Sequence, residues 1–216
     1  MHTGRVDDLL SRWSALHPAT SQAAPHVGVD LVRRYGEPHR RYHDTRHLAE
    51  VLDAVDELSV HADDLDAVRL AAWFHDAAYD VAAPAGANER ASADLAASAL
   101  AQLGHPAPRV AHVARLVRLT ATHDPAPDDG DGQVLCDGDL WVLGADPRRY
   151  GQYAADVRAE YAHVPEADFT AARAAVLGPL LDRESVYATA MARERWEHRA
   201  RANVSEELTR LRAAPR

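Results

Sequence analysis

Apolar residues recur at three- and four-residue intervals along almost the whole of this 216-residue chain, and no stretch of useful length alternates apolar with polar. The first period is that of one helix face, the second that of a half-buried strand. The pattern therefore predicts an all-α fold. Val6, Leu9, Leu10, Trp13 and Leu16 form a first stripe, closed by Pro18, and Val29, Leu31, Val32 and Tyr35 a second, before Gly36 and Pro38. Leu48, Val51, Leu52, Val55 and Leu58 form a third, with Asp44 or Thr45 placed to cap it. A fourth helix is expected over about 65–79, a fifth from Asn88 as cap to Gly104, and a sixth over 110–117. A polar stretch over 124–132 reads as a mobile loop before an apolar segment at 134–143. Tyr150, Tyr153, Val157 and Tyr161 read as a core stripe, and Pro179 is expected to kink or divide the helical last third. With no repeat and no long linker, one domain over 1–216 follows, its helices of 146–212 packed on the rest.

The net charge of −9 argues against a nucleic-acid-binding surface. An anionic substrate remains open, because a bound metal reverses the local potential. Cys136 is the single cysteine, so neither a disulfide framework nor a thiolate zinc cluster is available. The N-terminal residues lack the apolar core of a signal peptide, and the apolar runs are too short to span a bilayer. These features imply a soluble cytoplasmic protein with no nucleic-acid and no membrane partner.

Chemistry concentrates where polar ligand-type residues interrupt apolar runs. His-Asp occurs three times, at 43–44, 75–76 and 123–124, but only His75-Asp76 follows a run as apolar as Leu70-Ala71-Ala72-Trp73-Phe74. Burying such a pair is costly unless it is paired or bound to metal. His43 and His47 are four apart, a spacing that puts both on one face if the third helix starts early enough. Asp137 and Asp139 interrupt a third apolar segment. Imidazole and carboxylate without sulfur suit Mn, Fe, Ni, Co or Mg, with Zn also allowed.

The order of these segments resembles the HD superfamily of metal-dependent phosphohydrolases, whose pattern is H…HD…D on an all-helical scaffold. The resemblance implies the ligands His47, His75, Asp76 and Asp139, with Asp139 preferred to Asp137 because it directly precedes an apolar residue, Leu140. The YHDTRH segment at 42–47 is also similar to the YHNxxH of cyclic-nucleotide phosphodiesterases, a branch of that superfamily. There the second His binds metal and the first protonates the leaving group, which implies His43 as general acid; Asp44 stands where that branch has Asn. Nearly the whole chain resembles an uncharacterised bacterial group of predicted HD phosphohydrolases, through YHDTRH, WFHDAAYD, NERAS, LTATH, CDGDLWVLG, RAEY and ARANVSEEL.

The resulting expectation is a metal-dependent phosphohydrolase acting on a phosphomonoester or phosphodiester, a nucleotide first of all, with homodimerisation open. Asp76 would bridge or orient the attacking water, besides binding a divalent metal. Arg46, Glu89, His123 and Asp137 are candidates for substrate or supporting contacts. Two alternatives are a di-iron oxygenase, which would need His123, and a non-catalytic nucleotide-sensing module.

Overall fold

The computed structural model describes residues 2–18 and 20–213, and among them every regular element is helical. Ten α-helices follow in order: α1 (His2–Ala15), α2 (Ala24–Tyr35), α3 (Thr45–Glu57), α4 (Leu65–Phe74), α5 (Ala87–Gln102), α6 (Ala107–Leu119), α7 (Gly130–Asp139), α8 (Pro147–Glu160), α9 (Glu166–Asp182) and α10 (Ala190–Ala213). Two 3₁₀ turns, Ser59–His61 and Leu140–Gly144, join them.

The centre of the fold is α4. Ala67, Val68 and every residue from Leu70 to Phe74 are buried, so the second half of the helix is covered on every side, as an apolar helix must be. It packs against α3, α5, α6 and α7. Asp64 caps its start by accepting from the Ala67 amide at 3.1 Å. Its end is earlier than the apolar run suggests, at Phe74 rather than near Tyr79. Side chains from elsewhere take the backbone groups that a longer helix would have used. The Tyr35 hydroxyl donates to the Trp73 carbonyl and accepts from the Asp76 amide, both at 3.3 Å. The Arg40 guanidinium donates to the carbonyls of Asp76 at 2.7 Å and Ala77 at 3.3 Å, and also to that of His43 at 3.1 Å. One buried arginine thus ties the end of α4 to the segment that opens α3.

Three further sequence expectations need correction. Gly86, with φ of +72°, precedes α5 in place of Asn88. The Asn88 amide is instead exchanged with the backbone of Asp80, at 3.0 and 3.1 Å. The 124–132 stretch is partly helical, because Asp129 caps α7 through the Gly132 amide and Asp131 is buried, accepting from the amides of Asp63 and Asp64. Pro179 lies inside α9 and does not divide it. Among the described residues no helix is long and apolar enough to cross a membrane.

Candidate metal centre

Three ends of secondary structure meet at one point. Asp44 starts α3 by accepting from the amides of Arg46 at 2.7 Å and His47 at 3.2 Å, which places His47 in the first turn facing α4. His75 and Asp76 follow the last residue of α4, and Asp139 is the last residue of α7. The Nε2 atoms of His47 and His75 stand 3.0 Å apart. Asp76 Oδ2 is 3.4 Å from His47 Nε2 and 3.1 Å from His75 Nε2. Asp139 Oδ1 is 3.3 and 3.5 Å from the same two atoms.

The separations of His47, His75 and Asp139 allow each to offer one atom to a shared cation, with Asp76 adjoining both imidazoles. Donors at neighbouring positions around an ion with bonds of about 2.1 Å stand about 3.0 Å apart. His75 Nδ1 donates to the Ala72 carbonyl at 2.7 Å, so the Nε2 of the neutral ring carries a lone pair directed at the cluster. Burial opposes charge on all four groups. Even so, the carboxylates push both imidazoles upward in pKa, and the imidazoles hold Asp76 and Asp139 well below the usual carboxylate range. The cluster therefore favours positive charge between its two carboxylates, and one divalent ion satisfies that without two imidazolium N–H groups facing each other.

Asp139 and Asp137 separate by helix geometry. Two residues on an α-helix point about 200° apart, so when Asp139 faces the histidines, Asp137 faces α10. There Asp137 accepts from the amides of Ala188 and Thr189, both at 2.7 Å, and orders the approach to α10. Its expected role at the centre is thereby corrected. Asp137→Ala should leave two buried amides unpaired and lower stability by about 2–4 kcal/mol in denaturant unfolding, with metal binding retained.

Arg46 is corrected too. Its guanidinium bonds Glu50 at 3.0 Å and Gln152 at 3.1 Å, tying α3 to α8 instead of facing the centre. His123 does reach the centre, with Nε2 2.8 Å from Asp139 Oδ2. Its backbone has φ of +47°, an uncommon conformation for a non-glycine residue, and Arg183 holds it by donating to the carbonyls of His123 and Thr122 at 2.7 and 3.1 Å. Glu89 lines the adjoining cavity, and its Oε2 is buried with no hydrogen-bond partner among the described residues. A buried oxygen of that kind calls for a water or ligand. Tyr153 and Tyr161, expected in the core, also line this cavity.

His43 stands beside the four ligand-type residues, and its Nδ1 donates to Glu160 Oε2 at 2.7 Å. The same glutamate accepts from the Tyr79 hydroxyl at 2.9 Å and, through Oε1, from the amides of Arg41, Tyr42 and His43 at 2.7, 2.9 and 2.9 Å. Burial raises the carboxyl, but these donors outweigh it and hold Glu160 at about 2 against an ordinary 4.5. Such a depressed group stabilises the fold above its unfolded value, and the contribution fades as pH falls from there through about 2. A shift of this size corresponds to about 3 kcal/mol. Glu160→Gln should therefore flatten the stability–pH profile between pH 4.5 and 2 by that amount; unfolding free energies from urea titrations that fall equally with pH in both proteins would refute it.

Family models, curated proteins and solved structures offer no match to this chain. The functional reading rests on its motifs and on this geometry.

Proposed function

We propose that the protein is a metal-dependent phosphohydrolase of HD type, acting on a phosphomonoester or phosphodiester. The observation that carries the reading is the buried cluster of His47, His75, Asp76 and Asp139, open on one side to a cavity that His43 also lines. Those four residues would hold the ion. When bound, a divalent metal supplies Lewis acidity toward a phosphoryl oxygen and makes water a better nucleophile near neutral pH.

The remaining work falls to the chain. Asp76 adjoins both imidazoles and also lines the cavity, which suits it to orient the attacking water. Glu160, ionised at neutral pH, fixes Nδ1 of His43 as the bonded nitrogen, so Nε2 is the one left to give a proton to the departing oxygen. Glu89 offers its unpartnered oxygen from the same cavity wall as an acceptor for water.

Protein incubated with Mn, Fe, Ni, Co, Mg or Zn should turn over members of a phosphomonoester and phosphodiester panel, and a chelator should abolish that turnover. No hydrolysis with any ion would overturn the proposal. The contact of His123 with Asp139 favours a second reading, an oxygenase with two irons. Two irons per chain together with oxygen uptake would select it.

A further inference from the structure

The cavity beside the cluster has a volume of about 540 Å³, within the range of small-molecule sites. Its two ends differ in chemistry. Near the cluster lie His43, Asp76, Glu89, His123 and Asp139; the rest of the wall, from α8, α9 and the 140–144 turn, is largely carbon. Val142, Leu143, Val157, Phe169, Leu177 and Leu180 are part of it.

Two arginines also border the cavity; Arg173 is paired with a carboxylate, whereas Arg183 bonds backbone carbonyls and no carboxylate among the described residues. Arg173 is buried against Glu207, bonded at 2.9 and 3.4 Å, with its guanidinium 4.7 Å from the Tyr153 ring centre. Its charge is already balanced. Arg183 is held by the His123 and Thr122 carbonyls. The hydroxyls of Thr120 and Thr122 donate to the Val117 and Leu119 carbonyls, at 2.9 and 3.3 Å. No Asn or Gln is among the described residues that line the cavity. Apart from the tyrosine hydroxyls and Arg183, this wall offers a sugar, a second phosphate or the edge of a nucleobase few partners to replace the water it would lose. An apolar group gains by entering, and Tyr153, Tyr161 and Phe169 favour a ring. Val176 lines the same cavity and is 62 % exposed, an apolar side chain that a bound apolar group would cover.

We propose that the substrate of this centre is a phosphoester of an apolar, ring-bearing alcohol rather than a nucleotide or sugar phosphate. The proposal rests on the phosphohydrolase reading for the phosphoryl end only. The test uses three esters of primary alcohols, ethyl phosphate, 2-phenylethyl phosphate and adenosine 5′-monophosphate, with Mn²⁺-loaded protein. Binding of ethylphosphonate and 2-phenylethylphosphonate is measured in parallel by calorimetry.

The phenylethyl compounds should exceed the ethyl ones by about 10²-fold in kcat/KM and in affinity, and should exceed the nucleotide. Ala172→Trp fills the cavity from an exposed position on α9 and should reduce the phenylethyl advantage by about tenfold. Graded binding of the phosphonates without hydrolysis of any ester would support the apolar ligand and sink the hydrolase. Hydrolysis with the nucleotide equal or preferred would overturn the apolar inference and spare the hydrolase. Equal binding of both phosphonates, with no hydrolysis, would overturn both.

Discussion

Replacing His75 or Asp76 with alanine is expected to strip the protein of divalent metal and of all turnover while its helices persist. Both residues lie beyond Phe74, the last residue of α4, so the packed surface of that helix does not depend on them. Their side chains instead meet His47 and Asp139 across the cluster. Loss of a supporting partner around a metal ligand costs about 10–100-fold in affinity, and loss of a ligand should exceed that. Metal content after dialysis, read beside far-ultraviolet circular dichroism, separates lost binding from lost fold. Asp76→Asn supplies the isosteric version, and Asp137→Ala the contrast that keeps its ion. Wild-type protein that stays metal-free after incubation with Mn, Fe, Ni, Co, Mg and Zn would end the metal reading. A His75→Ala protein that still binds one ion tightly would remove His75 from the ligand set.

The period of the apolar residues carried the fold, because α3 and α4 bury the residues that helical spacing selects. It could not locate the end of α4, since that boundary is set by Arg40 and Tyr35 from outside the helix. Likewise Asn88 has the chemistry of a cap, but its amide is spent on Asp80. Within the site, His75, Asp76 and the pair Asp137 and Asp139 stand out by interrupting apolar runs, whereas His47 follows Thr45 and Arg46 and is picked out by the resemblance to the H…HD…D pattern. The resemblance prefers Asp139 to Asp137; the physical reason is the direction of each residue on α7, where one faces histidines and the other faces amides before α10.

Glu160 escaped sequence reading, since its partnership with His43 spans 117 positions. A signal did exist: Glu160 falls on the same helical face as Tyr153 and Val157, and a carboxylate on a buried stripe needs a partner. Arg40 is a similar case, a buried cation whose purpose is visible only once the carbonyls around it are known.

His43 should matter for turnover and not for metal binding. Its ring is oriented by Glu160 through Nδ1, and Glu160 is in turn anchored by three backbone amides and the Tyr79 hydroxyl. That scaffold comes from α8 and the segment before α3, so no ion is needed to hold the ring in place. Loss of a positioned general acid costs about 10²–10⁴ in rate. His43→Ala and His43→Asn should therefore keep their metal and lose most of kcat on esters with alkoxide leaving groups. The penalty should shrink on p-nitrophenyl esters, whose leaving group departs without a proton. Glu160→Gln should show the same leaving-group dependence to a smaller degree, because the imidazole remains and only its orientation and charge partner are altered. Metal loss in His43→Ala would make His43 a ligand or its essential support. Full activity of that variant on an alkoxide-leaving ester would assign proton delivery elsewhere, with Glu89 the next group to test because its free oxygen shares the cavity.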